Sequence, residues 1–443
     1  MAEGITRISV KGFKSLAEEC SIEVRPLTIL AGANSSGKSS IMQPLLMMKQ
    51  TLEASYDPGA LLIAGPNVLF TSTEQFLSKS NGKAGNSFKI EFDLNRSFSL
   101  RETFKKEPKK GIEIAEMTYI EGEKAATTLR PGQGHKALLS TVPWLVDVWN
   151  NFIKTQGKKI ENELELRTYR IRCFLDIGYF PIMKADDATY VSPILIQYMS
   201  DTFGTPLRGI LHISALRGNP QRTYKITAIT SQFPGKFEDY VASIVYHWQV
   251  SKDVRLKELG KSLELLGLTR KIGAKAVDDT QVQLLIGRLP ASSINTAKDM
   301  VSIADVGFGV SQTLPILVAL LTAEPGQLVY VEQPEIHLHP KAQMAMAQIL
   351  ADAANRGVRV VAETHSSMLL LGVQSLVAEG KLSPDKVKLH WFKRRPEDGV
   401  TEVSSADLDK AGAFGDWPED FSSAEMDADI RYIHAAEARL EPN

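Results

Sequence analysis

Eight consecutive residues, Gly32-Ala33-Asn34-Ser35-Ser36-Gly37-Lys38-Ser39, satisfy the spacing G-x-x-x-x-G-K-[ST]. In such a loop the glycines let backbone N–H groups curl round a phosphate chain, the lysine reaches the terminal phosphates, and the serine hydroxyl suits Mg2+. The pattern demands a strand before it and a helix after it, and both are legible. Leu27-Thr28-Ile29-Leu30-Ala31 is a short apolar run of the kind that forms a buried strand, and Ser40 to Met48 has the apolar spacing of a helix. The competing reading, an ordinary Gly/Ser turn, explains neither flank. Gly32, Asn34, Ser35, Ser36, Gly37, Lys38, Ser39 and Ser40 are therefore the candidate nucleotide-binding residues, with ATP and Mg2+ as the expected cofactors.

The totals set outer limits. The chain has 443 residues, 43% hydrophobic and 23% charged, which suits one large or two to three smaller globular domains. A net charge of −1 gives no global field toward DNA or anionic lipid. Cys20 and Cys173, far apart in sequence, make neither a disulfide framework nor a zinc spacing. No apolar run approaches the roughly 18 residues that span a bilayer. The first residues lack a signal-peptide pattern, so a cytoplasmic protein without a membrane partner is expected. No internal repeat is visible.

Along the chain, Ile5 to Val10 and Ile22 to Val24 alternate as strands round a turn at Gly12 to Leu16. Phe88/Ile90/Phe92, Phe98/Leu100, Ile112/Ile114 and Met117/Tyr119 predict an antiparallel meander, with Lys105, Lys106, Lys109 and Lys110 at one turn. Residues 138–203 read as mostly helical, and Gly209 to Ser214 as a short buried strand. Val254 to Leu268 is a clear helix, 386–403 a hairpin closing at Glu397-Asp398-Gly399, and Ala424 to Leu440 a helix. The expectation is an α/β fold with an antiparallel β subdomain. A nucleotide core is split between 1–100 and 205–400, with a mixed, mostly helical insertion at 101–204 and an extension at 401–443.

The second half of the site lies far from the first. Leu328-Val-Tyr-Val331 runs into Glu332-Gln333-Pro334-Glu335, an apolar strand ending in an acid. A parallel strand puts its C-terminal residue beside a phosphate loop, where a carboxylate can hold Mg2+. Val358 to Ala362 is a second such strand, running into Glu363-Thr364-His365-Ser366, which brings a histidine toward a γ-phosphate or its attacking water. Gly307-Phe-Gly309-Val-Ser311-Gln312 precedes an apolar helix and forms a second anion-binding helix start.

In that order, phosphate loop, Gly/Ser signature, strand-acid-Pro and strand-His, the chain resembles the P-loop ABC-type ATPase heads of the SMC, RecF and OLD class. The phrases GVSQTLPIL, EQPEIHLHP and ETHS are similar to a branch often described simply as AAA ATPase, which includes ATPase subunits of anti-phage systems such as OLD, Gabija, Septu and PARIS. The resemblance covers about 1–80 and 205–370. It implies a head-to-tail homodimer or higher oligomer, with ATP held by Lys38 of one chain and capped by Ser311 of another. It also implies Ser39 and Glu332 as metal ligands and His365 as the switch histidine. A lid glutamine usually follows the first helix, and Gln75 is the candidate. One departure stands out: the strand of such heads usually ends Asp-Glu, whereas this one ends Glu332-Gln333. An amide orients water but cannot take its proton. Either Glu335 takes over as base, or hydrolysis is slow and ATP acts as a clamp.

Other patterns weigh less. Glu335-x-His337-x-His339 suits a loop at the partner head better than a metal site, with Pro340 directly after it. Asp427 and Asp429 resemble a TOPRIM acid pair, but only 78 residues follow His365, and Met426, Ile430 and Ile433 give that helix an ordinary apolar stripe. Arg217 and Arg222 are candidates for phosphate or partner contact. Two functions remain open. One is an oligomeric ATPase that senses or scaffolds in bacterial anti-phage defence and controls a separate effector. The other is a RecF- or SMC-like DNA-maintenance ATPase that clamps DNA, with near-neutral charge and the lack of coiled-coil arms against it. A stand-alone nuclease and a transporter subunit fit less well.

Overall fold

The computed structural model of the protein describes residues 4–80, 83–95, 97–123, 126–156, 164–182, 194–195, 198–288, 299–415, 430–434 and 436. The phosphate-loop strand, Leu27–Gly32, lies inside a six-stranded sheet. In space the order is Leu211–Ile213, Leu328–Glu332, Arg359–Thr364, Leu27–Gly32, Val387–Arg394 and Thr401–Ala406. The first five pair in parallel and the last closes as an antiparallel hairpin. The acid strand and the histidine strand thus come to lie on one side of the loop strand, although about 300 residues separate them from it in sequence.

A parallel strand covered on both faces must be apolar on both, which is why these strands read as unbroken apolar runs. Leu27, Ile29, Ala31, Val329, Val331, Val360 and Ala362 enter one core with helices Phe308–Thr322, Pro340–Asn355 and Ser367–Ala378. Leu30, Leu328, Tyr330, Val361 and Phe392 face the other, with the phosphate-loop helix Lys38–Glu53 and a second sheet. Each fully buried aliphatic side chain contributes about 1.5–3 kcal/mol, so the alternation fixes which face of each strand meets the loop.

The second sheet is antiparallel, in the order Cys20–Glu23, Ile5–Lys11, Ser87–Leu94, Phe98–Glu107, Gly111–Glu121 and Thr127–Leu129. It carries the expected meander, but of the four lysines only Lys109 and Lys110 lie in the turn before Gly111–Glu121, while Lys105 and Lys106 are paired within Phe98–Glu107. Phe98–Glu107 runs through the boundary expected at residue 100, so the β subdomain continues into the region read as an insertion. That region is also less helical than its sequence suggests. Helices His135–Thr141, Pro143–Gln156 and Tyr198–Arg208 flank an antiparallel hairpin, Leu164–Ile171 with Phe174–Pro181. Its period is two: Leu164, Leu166 and Thr168 are buried while Arg167 faces out. The buried ion pair Lys49–Glu53 ties the phosphate-loop helix to this region, since Lys49 Nζ also donates to the Arg208 carbonyl at 3.1 Å.

The hairpin expected at 386–403 is present as the edge of the main sheet. Residues 430–434 are helical, whereas Met426, Asp427 and Asp429 lie outside the described residues. No helix among the described residues is long and apolar enough to cross a membrane.

Glu102 interrupts the inward row Leu100, Glu102, Phe104 and is fully buried, with neither carboxylate oxygen hydrogen-bonded among the described residues. Burial raises its pKa well above the ordinary 4.5. A carboxyl whose pKa is raised on folding costs stability as pH climbs through the unfolded value, because the unfolded chain then ionises and the folded one resists. Glu102→Gln should therefore be more stable than the wild type at neutral pH. In thermal melts across pH, the advantage should shrink to nothing below about 4.

Candidate functional site

The loop leaves its strand through three backbone positions in positive φ: Gly32 at 141°, Ser35 at 60° and Gly37 at 105°. Two of the glycines are required by crowding as well. A Cβ on Gly32 would meet the Phe392 carbonyl oxygen at 2.2 Å, and one on Gly37 would meet Thr401 Oγ1 at 2.6 Å. Asn34 and Ser35 are exposed at the tip, while Ser36 and Ser40 are buried, and the Ser40 N–H donates to the Gly37 carbonyl at 3.0 Å. Ser36 Oγ is buried with no hydrogen-bond partner among the described residues. Lys38 Nζ folds back to donate to the carbonyls of Gly32 at 2.9 Å and Ala33 at 2.8 Å. Helix Lys38–Glu53 has no side-chain cap at its N-terminus. Uncapped first-turn N–H groups, an orphaned hydroxyl and a lysine bonded only to its own loop suit an anionic chain of phosphates.

Beside the loop, the parallel register places Glu332 opposite Glu363, and Glu363 opposite Leu30. A row of polar side chains follows along one face of the strand ends. His212 Nε2 bonds Glu332 Oε1 at 3.1 Å, and its ring stacks on Tyr330 with centroids 5.2 Å apart. The Ala215 N–H donates to Glu332 Oε2 at 3.1 Å. The Tyr330 hydroxyl donates to Glu363 Oε2 at 2.8 Å, and the Ser39 hydroxyl lies 3.0 and 2.8 Å from the two Glu363 oxygens. Burial pushes Glu332 upward, but the bonds from His212 and Ala215 outweigh it and hold this carboxyl below its usual range. Glu363 goes the other way, raised by burial and by the neighbouring Glu332 charge, with Ser39 and Tyr330 offsetting part. Burial lowers Lys38, against the pull of Glu363 and Glu335. An oxygen-only donor set of one hydroxyl and two carboxylates fits a hard divalent cation.

Past Glu332 the chain turns sharply. Gln333 sits at φ 46° and His337 at φ 63°, conformations that side chains adopt only under constraint. At Gln333 the constraint comes from Arg217. Its guanidinium donates to the carbonyls of Glu332 and Gln333 and, at 3.3 Å, to that of Gln312. Burial pulls its pKa down to about 10, against Glu238, Glu335 and Glu332. Gln312 Nε2 returns a bond to the Gly218 carbonyl at 2.8 Å. The acid strand and the first turn of helix Phe308–Thr322 are thereby fastened together. Glu335 folds under the turn: its Oε1 accepts the His365 N–H at 2.8 Å, and its Oε2 is buried without a well-formed hydrogen bond among the described residues. Burial raises the Glu335 pKa. His365 lies against the Gly32 backbone, its pKa lowered by burial and by Lys38, so the imidazole is neutral near pH 7.

Lys38, Ser39, Glu332, Glu335 and His365 thus converge at the ends of adjacent strands. Ser311 and Gln75 sit elsewhere. Ser311, half-buried on the first turn of helix Phe308–Thr322, donates to the Phe308 carbonyl at 3.1 Å. Gln75 is exposed in the turn Thr73–Gln75, its amide engaged with the Thr71 N–H and hydroxyl, both at 2.8 Å. His339 caps helix Pro340–Asn355 and His337 packs on Phe308. Arg222 pairs with Asp305 on the surface. The sequence reading passed over Glu363, His212, Tyr330 and Lys14, the last within electrostatic reach of Glu332. For His212, Tyr330 and Glu363 the signal was a polar residue inside an otherwise apolar strand, as in Leu211-His212-Ile213 and Val329-Tyr330-Val331, whereas Lys14 lies in a turn and carried no such signal.

Two family models match the chain. An AAA ATPase domain covers residues 4–169, and an AAA domain described as a putative AbiEii toxin of a type IV TA system covers 290–372. No curated protein matches it. Among solved structures, an SMC head bound to the C-winged helix domain of ScpA is similar at 13% identity, covering 92% of this chain and 99% of that one, with a TM-score of 0.46. The SMC head domain of Thermotoga maritima is similar at 12% identity, covering 91% and 100%, with a TM-score of 0.41. An SMC head from Pyrococcus furiosus, with an extended coiled coil and bound to the C-terminal domain of ScpA, is similar at 11% identity, covering 97% and 100%, with a TM-score of 0.44.

Replacing Arg217 by Met strips three carbonyls of their shared donor. It should cost about 1–3 kcal/mol of stability, read from the urea midpoint. Arg217→Lys should recover only part, since one ammonium cannot span two segments as a planar guanidinium does.

Proposed function

We propose that this chain, an ABC-type, SMC-like AAA ATPase, binds Mg-ATP at the loop, hydrolyses it slowly, and uses closure of paired heads to control a separate effector in anti-phage defence. The convergence of Lys38, Ser39, Glu332, Glu335 and His365 carries the ATPase part. In this reading Lys38 exchanges its loop carbonyls for the terminal phosphates, and the first-turn N–H groups and Ser36 take up phosphate oxygens. Ser39 and a carboxylate at the strand ends would hold Mg2+, which would supply charge neutralisation at the β- and γ-phosphates. The neutral imidazole of His365 orients the attacking water. As the water oxygen bonds to the γ-phosphorus and the bond to the bridging oxygen breaks, Glu335 receives the water's proton and ADP leaves with the bridging oxygen. Gln333 stays a positioning residue, held in its turn by Arg217. Ser311, outside this cluster, caps nucleotide held by Lys38 of a second copy, so that two sites close together. Gln75 remains the lid candidate, once released from Thr71. The description of the family matched over 290–372, a putative toxin of a toxin–antitoxin system, supports a role in conflict rather than housekeeping.

A second reading, DNA maintenance, draws on one observation: Lys257, Lys261, Arg270 and Lys271 line a groove beside helix Val254–Leu265. Such a cluster suits phosphate backbones.

Mg-ATP turnover of the purified protein, with and without duplex DNA, separates these readings. Lys38→Ala should abolish turnover, and Glu335→Gln should lower it about 100-fold or more, the usual yield of a general base. Turnover insensitive to Glu335→Gln removes that residue from the reaction. Stimulation by DNA moves the assignment to the second reading.

A further inference from the structure

The two acids at the strand ends are not equivalent. Glu332 has both oxygens committed to protein donors, His212 Nε2 and the Ala215 N–H, each at 3.1 Å. Glu363, on the neighbouring strand, turns its carboxylate to the loop, with Ser39 Oγ at 3.0 and 2.8 Å from its oxygens. Octahedral Mg2+ binds oxygen at about 2.1 Å, so adjacent ligands in its shell lie about 3 Å apart. Ser39 Oγ and a Glu363 oxygen already have that separation, and the Tyr330 hydroxyl, 2.8 Å from Glu363 Oε2, fixes the carboxylate from behind. Glu363 is buried and its strand is clamped between the acid strand and the loop strand, so its position is set by backbone pairing on both sides.

We propose that Glu363 is the carboxylate that binds the divalent cation beside Ser39, directly or through one water, while Glu332 serves as the rear support that holds His212 and the Ala215 loop. This rests on the Mg-ATP reading above. It adds a ligand that the strand-acid motif does not contain, and moves the principal metal carboxylate one strand closer to the loop. The contact between Ser39 and Glu363 then has a role: it keeps both ligands at metal-ready spacing.

The test is binding, with no turnover required. Mn2+ affinity is measured by electron paramagnetic resonance in the presence of saturating ATP. ATP affinity is measured by calorimetry in excess Mg2+ and in EDTA. Wild type is compared with Glu363→Gln, Glu363→Asp and Glu332→Gln, each checked by circular dichroism. Glu363→Gln keeps the size and an acceptor for Ser39 and Tyr330 but loses the charge. It should weaken Mn2+ at least tenfold and remove most of the gain in ATP affinity that Mg2+ gives, while ATP binding in EDTA is kept or tightened. Glu363→Asp, which keeps the charge, should recover part of the Mn2+ affinity. Mn2+ affinity within twofold of wild type in Glu363→Gln, with the loss confined to Glu332→Gln, overturns the assignment. Failure of the wild type to bind ATP under either condition overturns the nucleotide reading itself and this inference with it.

Discussion

Parallel pairing across Leu328–Glu332, Arg359–Thr364 and Leu27–Gly32 is the constraint on which the site depends. It sets Glu332, Glu363 and the start of the phosphate loop at one level, although both acids are encoded about 300 residues after the loop. Because side chains alternate, a slip of one residue would turn Tyr330, Glu332 and Glu363 into the helix-covered core and present Val331 and Ala362 to the loop. The apolar residues resist that slip. Val329, Val331, Val360 and Ala362 are fully buried on one face, and Val361 and Tyr330 on the other. Site geometry is therefore a by-product of core packing, and errors in one are paid for in the other.

Around that frame the protein gathers features that are unfavourable alone. Two carboxylates occupy facing positions, Gln333 and His337 adopt positive φ, and a guanidinium is buried against three carbonyls. Each is supported by a neighbour. His212 and Ala215 keep Glu332 ionised, Ser39 and Tyr330 satisfy Glu363, and Arg217 holds the strained turn. Concentrated strain and shifted ionisation at the ends of parallel strands mark a functional site. The same fastening joins the acid strand to the helix that bears Ser311. In the proposed paired-head arrangement, a displacement of that helix would be felt at Gln333 through Arg217.

Much of this was legible because it depends on spacing along the chain. The phosphate loop, the apolar strands ending in Glu332 and running through Glu363 to His365, the meander and the 386–403 hairpin are all local patterns. Features set by partners in space were not. Along the chain Glu363 is one acid before Thr364, and only the parallel register puts it beside Ser39. His212 is one polar residue in a buried strand, and only the fold brings Glu332 Oε1 to 3.1 Å from its ring. The hairpin at Leu164–Pro181 was misread for a different reason. Its alternation is plain in Leu164, Leu166 and Thr168, but the polar residues between them and the adjoining helices gave the stretch a helical look. Gln75 shows the limit of motif order: its place in the sequence suits a lid, while its amide closes a turn with Thr71.

The central proposal is that these strand ends and the loop form a nucleotide site. Calorimetric titration of ATP into the purified protein in Mg2+ tests it most directly. Saturable binding of one ATP per chain is expected, lost in Lys38→Ala with the fold intact by circular dichroism. Absence of binding, or binding that survives Lys38→Ala unchanged, would contradict it.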